Sequence, residues 1–271
     1  MGRCLIMIPK KIHYCWFGHN PLPELAQKCI ASWKKYCPDY EIIEWNEDNF
    51  DIHCCPYVEE AYEAKKWAFA SDYVRLYVVY TYGGIYLDTD VELVKSLDCF
   101  LYNKCYLGIE FDSGYIATGL GFGAEKGNEA VALMLKAYEG LSFKENDSSI
   151  ICPILNTKPF YDYGFILGKD ELLDIGIAKI FPSEYFCPIN CSTGETTITD
   201  STVSIHHYSG SWLDDETKYA KKLTYKLLKY FPEDISRRSA KFISCVKYRG
   251  FINAIKETLK WIAKKKEEGN R

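Results

Sequence analysis

The sequence lacks any Cys-x-x-Cys pair, although it contains 12 cysteines in 271 residues. Zinc ribbons and fingers bind their metal through closely spaced ligand pairs, and disulfide scaffolds are typical of much shorter chains. The first apolar run is shorter than the roughly 7–15 residues of a secretory h-region. No uncharged stretch approaches the roughly 20 residues of a membrane span. We therefore expect reduced thiols and a cytoplasmic location.

The chain as a whole also lacks an excess of charge of either sign, because its formal net charge is only -4. The charge is unevenly distributed along the chain. Residues 218–271 contain 16 Lys and Arg against 5 Asp and Glu, so this tail is basic and the preceding residues are acidic. An acidic body argues against a nucleic-acid groove, since phosphate binding needs a dense Lys/Arg surface. The basic tail predicts either docking on an anionic membrane surface or a solvated pair of capping helices.

Internal repeats and low-complexity segments are absent too, and the predicted elements alternate along the chain. The stretches IPKKIHYCWFG and YEIIEWN predict strands, and the intervening PLPELAQKCIASWKKYCP predicts a helix. Such a βαβ unit indicates an α/β fold with a parallel or mixed sheet. Residues 56–82 predict one long helix, which Gly83 and Gly84 end. The boundary between the main domain, residues 1–216, and a helical extension, residues 217–271, follows from the change in composition.

The stretch GGIYLDTDVEL places two carboxylates, Asp88 and Asp90, directly after a short apolar strand. Side chains two residues apart share a face wherever the backbone is extended, and two close anions repel unless a cation lies between them. Oxygen ligands at this spacing suit Mg²⁺ or Mn²⁺. A solvated turn is the usual role of a lone Asp-x-Asp, but the buried elements leading into this one favour a metal site. An EF-hand calcium loop is an alternative with little support, because Leu93 stands where that loop needs glycine.

Two further groups of polar residues are candidates for ligand or metal binding. Asp72 and Arg75 are three residues apart on a predicted buried helix and therefore share a face. They either pair only with each other or line a pocket that faces sugar, ribose or phosphate oxygens. The late stretch HHYSGSW contains His206 and His207, whose imidazoles could join two carboxylates on a Mn²⁺-like ion.

Five blocks in this order resemble the bacterial members of glycosyltransferase family 32: IPKKIHYCWFG, SWKKYCPDYEIIEWNEDNFD, ASDYVRLYVVYTYGGIYLDTDVEL, TGLGFGAEKG and SIHHYSGSW. The same pattern is similar to the glucosylating domains of large clostridial toxins. The resemblance implies a GT-A fold, Rossmann-like, with a mixed sheet flanked by helices. It also implies a nucleotide-sugar donor, a divalent metal that is Mn²⁺ or Mg²⁺, and retention at the anomeric carbon. Bacterial relatives are often associated with capsular or other surface polysaccharides.

The resemblance also implies roles for particular residues. Asp88 and Asp90 match the DXD motif, in which Asp90 binds the metal directly and Asp88 holds ribose, sugar or metal-bound water. Asp72 and Arg75 match a block that contacts the donor sugar and phosphate. His207 occupies the position of a metal-associated carboxylate in the toxin domains, with His206 as the alternative third ligand.

The remaining donor-binding residues are assigned in the same way. Trp16 matches a tryptophan that stacks on the base, and Tyr86 matches an aromatic residue near the nucleotide. Ser211 and Trp212 match the segment that closes over the diphosphate. Together these assignments predict a hexosyltransferase that uses a nucleotide-sugar, with UDP favoured, and a glycan or lipid-linked acceptor.

Two other functions fit parts of the sequence. A phosphatase of the haloacid dehalogenase type would use Asp88 as nucleophile and Asp90 as acid/base. That class needs a downstream Gly-Asp-x-x-x-Asp block, and the nearest stretch, GKDELLD, has Lys169 in place of the first aspartate. A non-enzymatic carbohydrate-binding protein would account for the 22 tyrosines but not for the pair of carboxylates beside a buried Asp/Arg helix.

Overall fold

The computed structural model of the chain describes residues 7–144, 151–210 and 213–269. The chain divides into two compact units, Met1–Ser209 and Gly210–Arg271. The first helix of the second unit starts at Asp215, just before the predicted boundary between residues 216 and 217. Among the residues described, no helix combines the length and the apolar character that crossing a bilayer requires.

The chain begins with the predicted βαβ unit. Strand β1 (Lys11–Cys15) and strand β2 (Glu41–Trp45) are parallel neighbours, and helix α1 (Glu24–Tyr36) connects them. The buried side chains of α1 recur at helical spacing and form one face: Ala26, Cys29, Ile30 and Trp33. The indole Nε1 of Trp33 donates to the Val91 carbonyl at 2.7 Å, so this helix also anchors the chain just beyond the aspartate pair.

The single helix predicted over residues 56–82 is wrong, because two helices occupy this segment. Helix α2 (Pro56–Glu63) ends in a left-handed residue, Lys65, with φ of 58°, and helix α3 (Trp67–Tyr82) follows. The amide of Lys65 donates to the Tyr62 carbonyl, and that of Lys66 donates to the Ala61 carbonyl. This bonding pattern is a Schellman cap, which usually has glycine at the left-handed position. Because lysine occupies it here, the sequence contains no sign of the break.

In the described part of the first unit, nine strands form two sheets. After α3 come β3 (Gly84–Tyr86), β4 (Val91–Leu93), β5 (Cys105–Gly108), β6 (Phe122–Ala124), α4 (Glu129–Lys136), α5 (Cys152–Thr157), β7 (Leu173–Asp174), β8 (Lys179–Phe181) and β9 (Ser204–His206). The main sheet has the order β2-β1-β3-β6-β5-β8-β7 and contains both parallel and antiparallel pairs. Strand β4 lies outside this sheet and, among the described residues, pairs with β9 alone.

Apolar side chains cover both faces of the main sheet. Neighbouring residues of β3, Ile85 and Tyr86, belong to two different core clusters, as neighbouring strand residues must when each face is buried. Helix α3 packs into one cluster, and Trp33 of α1 packs into the other. The predicted α/β fold is confirmed: the main sheet is mixed and helices flank it.

The described residues of the second unit form three helices, where the lysine-rich sequence predicts a helical extension. They are α6 (Asp215–Leu227), α7 (Glu233–Arg249) and α8 (Phe251–Gly269). Helix α6 packs against α7, and α7 packs against α8. The side chain of Asp214 caps α6 by accepting from the Thr217 amide. The predicted C-terminal helical extension is thus present.

The break between α2 and α3 predicts opposite effects of glycine at adjacent positions. Lys65→Gly removes the roughly 1–2 kcal/mol cost of a left-handed non-glycine residue, so we expect the free energy of unfolding to rise. Ala64→Gly, at a right-handed position, should lower it by about 0.5–1 kcal/mol. Urea denaturation measures both variants. Equal losses of stability at the two positions would instead indicate a continuous helix.

Candidate active site

The aspartate pair lies where β3 ends at one edge of the main sheet. Gly83 and Gly84, with φ of 67° and 115°, turn the chain from α3 into β3, which is buried between β1 and β6. The backbone does not stay extended after β3, because the amide of Val91 donates to the Asp88 carbonyl at 3.0 Å and closes a turn. The two aspartates are therefore brought together by a turn rather than by strand alternation.

One histidine completes a cluster with these aspartates. Asp88, Asp90 and His206 each offer a ligand atom within 4.8 Å of the others. Strand β9 pairs antiparallel with β4 so that His206 lies opposite Val91, and its Nε2 is 3.1 Å from Asp90 Oδ1. His207, the third ligand that the sequence favours, faces away: its Nε2 lies 2.8 Å from Glu92 Oε2. The structure therefore brings together the alternative set, with His206.

The chemistry of this donor set fits a divalent cation. Two carboxylates and one imidazole match Mn²⁺, which accepts oxygen and nitrogen ligands, better than the softer metals that thiolates select. Within the residues described, the buried Nδ1 of His206 has no hydrogen-bond partner. Asp90 is further oriented by the Ser209 amide, which donates to its Oδ2 at 2.8 Å. The cluster thus holds hard ligands in defined positions.

The electrostatics of the cluster differ between its two carboxylates. Burial raises the pKa of Asp88, and the charge of Asp90 adds to the increase while Arg75 opposes it. Burial also acts to raise the pKa of Asp90, but the charge and hydrogen bond of His206 together with the Ser209 amide lower it below its usual value. Burial acts to lower the pKa of His206, but Asp90 outweighs it, so that pKa is raised. Asp90 and His206 therefore each favour the charged form of the other.

A buried arginine joins helix α3 to this cluster. Arg75 is 5% exposed, and its Nη2 lies 3.0 Å from Asp72 Oδ1 and 3.2 Å from Asp88 Oδ1. Its guanidinium also lies over the Tyr86 ring, 5.0 Å from the centroid, and the Tyr86 hydroxyl donates to Asp88 Oδ1 at 2.9 Å. Of the two sequence alternatives, an isolated Asp72–Arg75 pair is excluded, because the arginine contacts Asp88 as well.

Asp72 is the second partner of this arginine. Burial raises its pKa to about 6, against the lowering effect of Arg75. Its carboxylate is nonetheless 13% exposed, unlike the guanidinium, which is nearly enclosed. The Asp72 side chain is therefore not completely enclosed.

The predicted base-stacking residue lies at the same edge of the sheet. Trp16 follows β1, whose carboxyl end lies beside that of the parallel strand β3. Its indole Nε1 donates to the Asn20 carbonyl at 2.6 Å, and its ring packs partly against the core. Trp16 thus follows the carboxyl end of a parallel strand, and open α/β sheets usually bind ligands outside such strand ends. Ser211 and Trp212 lie outside the residues that the structure describes.

Gly119 contributes to the site although sequence reasoning assigned it no role. A Cβ atom at this position would lie 2.5 Å from Asp88 Oδ2 and 3.2 Å from Arg75 Nη1. Contacts under 3.0 Å force neighbouring atoms to move, so glycine is needed here for close approach. The residue belongs to the block TGLGFGAEKG, whose glycines were the available signal.

A buried polar layer from α5 supports the same region. Asn156 Nδ2 donates to Thr118 Oγ1 at 2.8 Å and to Cys152 Sγ at 3.0 Å. Arg75 Nη1 lies 3.8 Å from that sulfur, and burial raises the pKa of Cys152 to about 12, so the thiol is neutral. No sequence signal indicated these residues, because the layer depends on how α5 packs.

A family model matches a segment that contains Asp72, Arg75, Asp88 and Asp90. The glycosyltransferase sugar-binding region containing DXD motif matches residues 23–107. Inositol phosphoceramide mannosyltransferase 3 of Schizosaccharomyces pombe is 32% identical over 119 residues, which cover 42% of this chain and 33% of that protein. The chain thus spans about a third of the length of this curated relative.

Two further matches extend beyond that segment. The uncharacterized glycosyltransferase L373 of Acanthamoeba polyphaga mimivirus is 25% identical over 222 residues, which cover 76% of this chain and 84% of that protein. Among solved structures, the PaToxG glycosyltransferase shares 20% sequence identity over 58% of this chain and 70% of its own, with a TM-score of 0.43.

Because Gly119 lies so close to the Asp88 carboxylate, we expect Gly119→Ala to weaken metal binding. The added methyl displaces the Asp88 carboxylate, so we expect Mn²⁺ affinity to fall by roughly 10–100-fold, as for other groups that orient metal ligands. Gly108→Ala is the matched control, since its Cβ would meet Phe186 Cδ2 at 2.8 Å instead of a carboxylate. Titration followed by the paramagnetic signal of free Mn²⁺ measures both. Equal affinity in Gly119→Ala and wild type would contradict this role.

Proposed function

We propose that the protein transfers a hexose from a nucleotide-sugar to a glycan or lipid-linked acceptor, because residues 23–107 match the glycosyltransferase sugar-binding region containing DXD motif. The transfer depends on a divalent metal, Mn²⁺ first, and retains the configuration at the anomeric carbon. The observation that carries the proposal is the cluster of Asp88, Asp90 and His206 with a buried arginine beside it.

Asp88, Asp90 and His206 would hold the metal, which supplies positive charge to stabilise the departing diphosphate. Arg75 keeps its charge at all relevant pH values, and its position fixes the Asp88 carboxylate. Asp72, with its partly exposed carboxylate, accepts hydrogen bonds from donor hydroxyls. The planar ring of Trp16 is suited to stacking on the base. Each of these residues binds or orients the donor, and none is required to form a covalent intermediate.

The relatives and the resemblance point to different donors. The S. pombe relative is a mannosyltransferase, which makes mannose the first hexose to test. The similarity to the toxin domains favours a UDP-sugar instead. An enzyme distinguishes one hexose from another through a few hydrogen bonds to sugar hydroxyls. Assays with a panel of donors therefore identify which sugar is transferred. We further propose a role in surface polysaccharide synthesis, in the cytoplasm and in peripheral contact with the inner face of the membrane.

The alternative phosphatase function has less support. Its second metal-binding block would include Lys169, whose side chain is 54% exposed and paired with Glu171. A surface lysine in this position does not complete a Mg²⁺ site. A carbohydrate-binding protein without catalysis leaves the buried arginine between two carboxylates unexplained.

Asp90→Ala tests the proposed reaction. With Mn²⁺ and a panel of UDP- and GDP-sugars, we expect the wild type to hydrolyse one donor slowly and the variant to lose at least ~100-fold in rate, because the metal loses a direct ligand. Glu92→Ala is the control, since that carboxylate lies two residues away and pairs with His207 and Lys28. Nucleotide release measures the rates. Metal-independent hydrolysis, or equal losses in both variants, would overturn the proposal.

Replacing each histidine in turn identifies the third ligand. We expect His206→Ala to weaken Mn²⁺ binding by roughly 10–100-fold and His207→Ala to leave it within about twofold of wild type, because only His206 lies beside both aspartates. The Mn²⁺ concentration that gives half-maximal donor hydrolysis reports the difference. The reverse order of effects would restore His207 as the ligand.

A further inference from the structure

The C-terminal unit exposes an unusual number of large apolar side chains. Those on or near α7 and α8 are Tyr230, Phe231, Ile235, Ile243, Tyr248, Phe251, Ile252, Ile255, Leu259, Trp261 and Ile262. Scattered exposed apolar residues are normal, but contiguous exposed patches mark surfaces that bind a protein or a membrane. Side chains of this kind indicate a binding surface where they lie next to one another.

Helix α8 arranges five of them on one face. Phe251, Ile255, Leu259 and Ile262 follow one another at intervals of four, four and three residues, and Ile252 lies beside them. Residues at such intervals lie above one another on a helix. Phe251, Ile252 and Leu259 are 60%, 70% and 60% exposed, which is far beyond the exposure of a packed face. We call these five residues the apolar face of α8.

Positive charge borders this face. Lys256 and Lys260 are exposed on the adjoining side of α8, and the unit as a whole contains many more Lys and Arg than acidic residues. A helix with bulky apolar residues on one side and lysines on the other is typical of segments that lie in the headgroup region of a bilayer. Clustered basic residues bind anionic lipid surfaces electrostatically.

A cleft between α7 and α8 is also lined by basic and aromatic side chains. It has a volume of about 570 Å³, and its lining combines cations with aromatic rings, notably Arg238, Lys241, Arg249, Phe242 and Trp261. The Arg238 guanidinium lies 4.3 Å from the Trp261 ring centroid. Arg238 pairs with Asp234 and Arg249 pairs with Glu216, whereas Lys241 makes no ion pair among the residues described. The cleft thus suits a group that is anionic at one end and apolar at the other.

We propose that the apolar face of α8 and the adjoining basic cleft form a docking surface for an anionic lipid bilayer. The apolar face enters the region between headgroups and acyl chains, and the cleft residues bind lipid phosphates. The inference rests on the proposed function in one respect: docking would bring the enzyme to a bilayer that contains a lipid-linked acceptor. Binding to the bilayer itself requires neither donor nor metal.

Sedimentation of the full chain with vesicles tests the docking surface. We expect the wild type to bind vesicles of phosphatidylcholine mixed with phosphatidylglycerol, to bind weakly to phosphatidylcholine alone, and to dissociate as salt is added. Ile252→Asp/Leu259→Asp should reduce binding at least ~10-fold, because aspartate on the inserted face opposes both burial and the anionic surface. Lys256→Glu/Lys260→Glu should reduce it mainly at low salt.

Equally exposed residues of the first unit provide the control. Leu172→Asp/Ile198→Asp changes side chains that are 54% and 61% exposed, and we expect it to bind vesicles as the wild type does. Circular dichroism verifies that the helices of each variant are intact. Failure of the wild type to bind anionic vesicles, or unchanged binding in Ile252→Asp/Leu259→Asp, overturns the proposal.

Two further measurements distinguish bilayer docking from self-association and from damage to the active site. If light scattering without lipid shows a dimer that Ile252→Asp/Leu259→Asp converts to a monomer, the face is an interface between copies of the chain and the docking proposal is wrong. Hydrolysis of a soluble donor should be unchanged in that variant, which shows that the active site is intact. Vesicle binding by a wild type that hydrolyses no donor would support docking while contradicting the proposed function.

Discussion

The buried charge of Arg75 is the constraint on which the rest of the site depends. A guanidinium keeps its proton when it is buried, so its charge must be balanced within the protein or it costs several kcal/mol. One balancing carboxylate, Asp72, comes from the preceding turn of the same helix, and the other, Asp88, comes from the turn after β3. Helix α3 and that turn are therefore held at a fixed separation. Any ligand that binds Asp88 meets a carboxylate whose position the arginine has already set.

Neighbouring protein groups also fix the positions of the other side chains in the cluster. Asp88 accepts a hydrogen bond from Tyr86, and Asp90 accepts one from the Ser209 amide and contacts His206. Each carboxylate is thus oriented by protein groups before a cation binds, and such preorganisation reduces the rearrangement that binding and catalysis require. Gly119 belongs to this arrangement as well, because it leaves space where a methyl group would displace an oxygen.

The sequence predicted those parts of the structure that depend on local pattern. The βαβ unit follows from apolar periodicity and turn residues, and the shared face of Asp72 and Arg75 follows from helical spacing. The break after α2 was missed because Lys65 adopts a left-handed conformation without the glycine that usually signals it. The choice between His206 and His207 depends on the register of β9 against β4. A shift of one residue exchanges the two side chains between faces, and no local pattern determines that register.

The pairing of β4 with β9 joins parts of the chain that are synthesised far apart in time. The Ser209 amide that orients Asp90 lies 119 positions further along the chain. Proteins emerge from the ribosome from the N-terminus onward, so the main sheet can begin to form while β9 is still missing. During that interval Asp88 and Asp90 are close together without their histidine. The donor set is complete only when nearly the whole first unit has left the ribosome, so a nascent or prematurely ended chain has the aspartate motif without the finished site.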